Sequence, residues 1–307
     1  MKPVTNSRVL RILEFIFYSN YFYGICAVGL SIEASLQQRY PLNYWTYYLL
    51  LFIATVLYYI YPYAGKKTPN ISNPRTAWYA RNQQLMRYHQ VIIPALLVIA
   101  ALAFLAVRGK LIYGISWLEW GILLVFPLTG LLYYGLGFIF RKFNIRKNGW
   151  LKPFIIGFVW AGVVTIYPVL VFNILRQQTF TIKIIGLFLF TKNLMFIALL
   201  CIMFDIKDYA TDNQYNLRTF VVRIGLRKTL FYLLLPLAIL GIGTFLYYAI
   251  DHEFSMTKTV LNLVPFLLLV ATVYSLRRRR SLMYYLVVID GLMLVKAIFG
   301  SIAMAWF

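Results

Sequence analysis

Phe204-Asp205-Ile206-Lys207-Asp208-Tyr209-Ala210-Thr211-Asp212 closes the apolar run 182–204, and its reading decides the fold. A helix needs about 20 apolar residues to cross the bilayer core, so the run reads as a membrane span. The acids that follow it mark one membrane surface. The chain has only nine acidic residues, and three of them sit here. On a helix Asp205, Asp208 and Asp212 fall at i, i+3 and i+7, so the three carboxylates share one face. Three like charges on one face repel unless a cation sits among them. Hard oxygen ligands at a membrane surface suit Mg²⁺, which is usually held by one or two carboxylates plus substrate phosphates. The plainer alternative is a solvated acidic helix end.

Working outward, 62% of the 307 residues are hydrophobic and only 13% are charged. That is about half the charge of a soluble domain. The chain therefore reads as an integral membrane protein, and its apolar runs are far longer than the strands of an outer-membrane barrel. Nine spans are expected, at 9–30, 44–64, 90–107, 117–139, 153–175, 182–204, 229–250, 259–275 and 283–306. No polar stretch between them is long enough to fold alone, so 1–307 reads as a single all-α transmembrane domain. The run 9–30 is too long for a signal peptide and lacks a small-residue cleavage site. Cys26 and Cys201 fall in apolar runs and read as small buried side chains.

Loop charge orients the spans. With the N-terminus inside, the inner segments take Lys2, Arg8 and Arg11; then Lys66, Lys67, Arg75, Arg81 and Arg87; then Arg141, Lys142, Arg146, Lys147 and Lys152. Lys207, Arg218, Arg223, Arg227, Lys228 and Arg277 to Arg280 complete that side. Only Arg39, Arg108, Lys110, Arg176, Lys183 and Lys258 fall outside, while Lys192 and Lys296 lie within spans. This excess is the positive-inside pattern, so the net charge of +21 implies anionic lipid contact and no nucleic acid. The acidic stretch opens on the cytoplasmic side, with a cytoplasmic N-terminus and an outer C-terminus.

Asp205-Ile206-Lys207-Asp208-Tyr209-Ala210-Thr211-Asp212, with Arg218-Thr219 and Val222-Arg223-Ile224-Gly225 downstream, resembles the second Asp-rich motif of the UbiA superfamily of intramembrane prenyltransferases. Arg141-Lys142, Lys152-Pro153-Phe154-Ile155, Trp160-Ala161-Gly162 and Pro168 resemble that family's segment between its fourth and fifth helices. The resemblance implies nine helices in one bundle, with a central cavity open to the cytoplasmic side of what would be a bacterial inner membrane. It implies a Mg²⁺-dependent transferase that moves an isoprenoid chain from a prenyl diphosphate to a lipophilic, typically aromatic acceptor, with no protein partner assigned. Asp208 and Asp212 would be the catalytic pair holding Mg²⁺, with Asp205 assisting as a third metal ligand. Arg141, Lys142, Lys152 and Arg218 would bind the diphosphate, and Lys192 is a weaker candidate for the cavity.

One half of the family pattern is missing. Its first Asp-rich motif belongs at the inner end of the second span, where this chain reads Thr55-Val56-Leu57-Tyr58-Tyr59-Ile60-Tyr61-Pro62-Tyr63-Ala64-Gly65. No acid occurs between Glu33 and Glu119. The following loop keeps its bases, so Arg81 and Arg87, with Asn82, are expected to replace one metal at the diphosphate; ordinary cytoplasmic positive charge is the competing reading. The runner-up function is a catalytically inactive family member that binds an isoprenoid or a partner. A transporter lacks support, because the intramembrane charges are few and scattered. A CDP-alcohol phospholipid synthase would need Asp-x-x-Asp-Gly and more acids downstream, and no acid follows Asp212 until Asp251. Tyr58, Tyr59, Tyr61 and Tyr63 could line a prenyl groove or form an interfacial belt. Lys296 is expected to snorkel to the outer surface, Asp290 is a weak cavity candidate, and the isolated His89 and His252 suggest no zinc or haem.

Overall fold

The computed structural model describes residues 8–61, 74–134, 149–214 and 217–307, and among these there is helix but no strand. Six helices are long and apolar enough to cross a bilayer: Gln83–Val107, Lys152–Leu175, Ile184–Ala210, Leu226–Asp251, Met256–Ser275 and Leu282–Trp306. Leu10–Tyr18 and Tyr21–Gln37 make a seventh if this pair, bent by 70°, is one span. Trp45–Ile60 and Trp117–Tyr133 are apolar but shorter. At 1.5 Å per residue the 16 residues of Trp45–Ile60 reach about 24 Å, short of the roughly 30 Å hydrocarbon core. The remainders of those two expected spans, 62–64 and 135–139, lie outside the described residues. Among the described residues the architecture is all-helical, with six or seven helices of the length and composition that cross a membrane.

The described residues fall into two compact units, those within Met1–Val28 and Asn43–Tyr113 and those within Gly29–Leu42 and Gly114–Phe307. The first unit is built around the break after Tyr18. Asn20 there has φ 69°, a left-handed conformation that asparagine tolerates better than most residues. A helix end leaves carbonyls without partners, and a buried arginine supplies them here. Arg75 Nε and Nη2 donate to the Tyr18 carbonyl at 3.2 and 3.1 Å, and Nη2 also donates to Asn20 Oδ1. Asn20 Nδ2 in turn donates to the Tyr59 carbonyl at 3.1 Å and to the Tyr79 hydroxyl at 3.2 Å. Tyr23 stacks on Tyr59 with ring centroids 4.3 Å apart. An apolar cluster of Ile53, Val56, Ile60 and Ile93 packs Trp45–Ile60 against Gln83–Arg108.

The second unit centres on Ile184–Gln214, which packs closely along Lys152–Leu175. The approach depends on Gly157, where a Cβ would lie 2.7 Å from the Leu194 carbonyl oxygen. Small residues at such crossings are what let membrane helices come together. Phe126, Ile166, Val169, Leu170 and Phe180 form the neighbouring core. Two π-turns, Gly162–Ile166 and Thr229–Leu234, each lie just before a proline, Pro168 and Pro236. Proline has no N–H to close the regular helical bond, so the ladder loosens upstream of it. Gly225, at φ 81°, separates the short helix Phe220–Ile224 from the span that begins at Leu226.

Candidate functional site

The Ile184–Gln214 helix carries polar groups at both of its ends, in two separate clusters. At the Gln214 end, Asp205 has 0% exposure and receives Lys152 Nζ on Oδ1 at 2.6 Å. Lys152 is the first residue of its own helix, so this ion pair ties the start of one span to the end of another. Asp208 is more open, and its Oδ1 lies 2.8 Å from Lys207 Nζ. Asp212 is buried and has no ion pair among the described residues; its backbone carbonyl accepts from Leu217 N at 2.8 Å. Asp205 Oδ2, Asp212 Oδ2 and Thr219 Oγ1 are buried without a hydrogen-bond partner among the described residues. Thr219 is held by its contact with Gly149, where a Cβ would sit 2.8 Å from the Thr219 backbone nitrogen. Burial pushes the Asp212 carboxyl up to about 6, the charge of Asp205 adds to the rise, and Lys152 opposes it.

Four of the sequence-derived candidates, Lys152, Asp205, Asp208 and Asp212, therefore meet at one end of one helix. Arg218 is exposed and directly precedes the buried Thr219. Arg141 and Lys142 lie outside the described residues, as does Tyr63. Arg81 and Arg87 belong to the first unit and are exposed, while Asn82 Nδ2 donates to the Trp78 carbonyl at 2.9 Å and so closes the helix Pro74–Arg81. Tyr59 is engaged by Tyr23 and Asn20, and Tyr61 is exposed.

Lys192 is not beside the aspartates. It precedes Asp205 by more than three turns, roughly 20 Å along the helix axis. It joins a second cluster near the Ile184 end. Lys192 Nζ donates to Gln37 Oε1 at 3.0 Å, and Gln37 Nε2 donates to Glu33 Oε1 at 2.8 Å. Glu33 Oε2 receives Lys296 Nζ at 2.5 Å. Glu33 and Lys296 are 1% and 3% exposed, so this is a fully interior ion pair. Lys296 does not snorkel to a surface: a carboxylate within reach holds its ammonium inside. Glu33 escaped notice because it stands alone in the run 21–37. The available signal was that an intramembrane lysine requires an acid, and Glu33 is one of very few.

Among the described residues no three His, Cys, Asp or Glu side chains gather into a ready-made cation cage. Mg²⁺ does not require one, since one or two carboxylates suffice when substrate phosphates and water fill the remaining positions. Asp205 Oδ2 and Asp212 Oδ2 are buried acceptors without a hydrogen-bond partner among the described residues, and each could be satisfied by an arriving cation or donor. No family model, curated protein or solved structure matches the chain.

Proposed function

We propose that the chain is an intramembrane prenyltransferase of the UbiA type, with nine spans and a cavity opening to the cytoplasm, that moves an isoprenoid chain from a prenyl diphosphate to a lipophilic acceptor. The observation that carries this reading is the convergence of Lys152, Asp205, Asp208 and Asp212 at one span end, with two buried carboxylate oxygens left without partners. Buried like charges are tolerated in a membrane protein when a cation or a charged ligand completes them.

Asp208 and Asp212 stand one turn apart, the spacing at which two side chains of a helix meet, and they would hold Mg²⁺. That ion would neutralise diphosphate charge as the leaving group departs. Lys152 has three N–H donors and gives one to Asp205. Asp205 would thereby be a positioning residue: it fixes the ammonium, whose remaining donors would be left for phosphate oxygens. Arg218, exposed beside Thr219, adds a guanidinium able to take two phosphate oxygens at once. In the reaction the bond from the allylic carbon to the diphosphate oxygen breaks and its electron pair leaves with the diphosphate. The acceptor forms the new bond to that carbon and then gives up a proton. The apolar span walls exclude water that would otherwise capture the allylic cation. The basic inner face would rest on anionic lipid.

The test is binding of a long-chain isoprenoid diphosphate to the purified chain with and without Mg²⁺, in wild type, Asp208→Asn and Asp212→Asn. Binding that needs Mg²⁺ and falls at least about tenfold in both variants is the expected result. Binding indifferent to Mg²⁺ and to both substitutions defeats the transferase reading and leaves the inactive, isoprenoid-binding alternative.

A further inference from the structure

The cluster at the Ile184 end has no part in prenyl transfer, yet it places charge deep inside a membrane-spanning unit. Its groups divide into those that are balanced and one that is not. Glu33 is fully committed, with Oε2 on Lys296 and Oε1 on Gln37. It is also confined, since a Cβ at Gly300 would lie 2.6 Å from Glu33 Oε1. One carboxylate and one ammonium therefore cancel. Lys192 is the surplus: among the described residues its ammonium has one hydrogen bond, to the neutral Gln37, and no ion pair. An ammonium with three donors and one neutral acceptor is incompletely satisfied inside an apolar span.

Lys192 also stands where two cavities of the second unit meet. One, of about 40 Å³, has a mixed lining in which Gln37, Arg39, Lys192, His252, Lys258 and Asn262 stand among aromatic and aliphatic side chains. The other, of about 120 Å³, is almost wholly apolar, with Met195, Phe196, Leu199, Leu237 and Phe245 in its walls. Lys192, Phe188 and Phe245 line both. A cavity that gathers Arg39, Lys192 and Lys258, and that shares wall residues with an almost wholly apolar one, matches one kind of molecule: an anionic head on a hydrocarbon chain. Zwitterionic heads lack the net charge to balance Lys192, and a free anion leaves the apolar chamber unfilled.

We propose that this junction is a binding site for a single-chain anionic amphiphile, whose phosphate or carboxylate head pairs with Lys192, Arg39 and Lys258 and whose chain enters the chamber walled by Phe196 and Phe245. The site lies at the opposite end of the Ile184–Gln214 helix from Asp205 and is independent of the transferase reading. With the cytoplasmic N-terminus expected from loop charge, it belongs to the outer leaflet.

The experiment is equilibrium binding of radiolabelled oleoyl lysophosphatidate to the purified full chain in neutral detergent. Unlabelled lysophosphatidate, oleate, oleoyl lysophosphatidylcholine and inorganic phosphate serve as competitors. Saturable binding of one molecule is expected, displaced by lysophosphatidate and oleate, at least about tenfold less by lysophosphatidylcholine, and not by millimolar phosphate. Lys192→Gln should weaken binding at least about tenfold. Gly241→Leu fills the apolar chamber without touching a charge, since a Cβ there is already 3.5 Å from the Phe266 ring. It should weaken lysophosphatidate binding by a similar factor, and it keeps the proposal open to test if Lys192→Gln does not fold. Equal competition by lysophosphatidylcholine would reveal nonspecific hydrophobic uptake, and full competition by phosphate would reveal a free-anion site. Either result, or unchanged binding in both variants, overturns the proposal.

Discussion

Replacing Glu33 by glutamine keeps the shape of the side chain and removes its charge. The amide oxygen can still accept from Gln37, but the amide nitrogen is a donor facing the Lys296 ammonium, where the carboxylate oxygen stood 2.5 Å away. Lys296 is 3% exposed, so bulk solvent barely reaches it. Removing one member of a buried pair costs about 3–5 kcal/mol, because the surviving charge is left uncompensated. That range lowers the folded-to-unfolded ratio by more than 100-fold. The effect resides mainly in the orphaned ammonium, so Glu33→Gln with Lys296→Met should recover most of it and come within about 1 kcal/mol of wild type. The assay is equilibrium unfolding of the full chain in mixed micelles by denaturing detergent, followed by loss of helical circular dichroism. Stability in Glu33→Gln within about 1 kcal/mol of wild type would refute the reasoning, because it would mean that Lys296 has solvent or another acceptor. A double variant as unstable as the single one would place the loss in packing instead of charge.

The other expectations are shorter. Lys152→Met should destabilise the chain by about 3 kcal/mol or more, measured the same way, since it strands Asp205 at 0% exposure; adding Asp205→Asn should restore stability if the pair acts as a unit. Asp212 titrates near 6 when folded, above its ordinary 3.8, so it strains the fold when ionised. In protein kept free of divalent cations, its contribution to stability should be present at about pH 4 and lost as pH rises through about 6; Asp212→Asn should flatten that part of the stability profile. Gly157→Ala drives a methyl group toward the Leu194 carbonyl and should cost about 1–3 kcal/mol in unfolding, whereas a change within about 0.5 kcal/mol would deny the close crossing of the two spans. Arg75→Gln removes charged hydrogen bonds to Tyr18 and Asn20 and should cost about 3 kcal/mol, with earlier proteolysis near the Asn20 bend.

Hydrophobic run length located the six or seven helices long enough to cross a bilayer, because a bilayer core demands about 20 apolar residues; the expected spans 44–64 and 117–139 appear among the described residues only as shorter helices. Run length did not see the break after Tyr18. The run 9–30 is continuous in hydropathy, and the bend depends on a left-handed Asn20 and on Arg75, more than fifty positions away. The aspartates at i, i+3 and i+7 were legible as one face because helical spacing is local. Their individual states were not. Asp205 is matched by Lys152 from another helix and Asp208 by its neighbour Lys207, and only tertiary placement tells the two cases apart. Lys192 shows the same limit. A lysine within a span marks function in general terms, but its position along the helix assigns it to the cluster of Glu33 and Lys296 instead of the aspartates.

The two clusters follow one rule, and the rule separates what holds the fold from what awaits a ligand. Each contains an ion pair between different helices, Lys152 with Asp205 and Lys296 with Glu33. These pairs fix helix register, since any axial slip would strand two buried charges. Each cluster also contains one buried ionisable group beyond the pair. Among the described residues, near the Gln214 end it is Asp212, a carboxylate with an orphaned oxygen, and near the Ile184 end it is Lys192, an ammonium bonded only to an amide. Interior pairing would have been the simpler solution for both, and the membrane environment penalises leaving them otherwise. The surplus charges have opposite signs, so their complements do too: a cation for Asp212 and an anion for Lys192. A single central ligand cannot serve both, because they lie more than 20 Å apart along one helix by its rise per residue. On the two proposals, therefore, a substitution at one end of the Ile184–Gln214 helix should leave ligand affinity at the other unchanged.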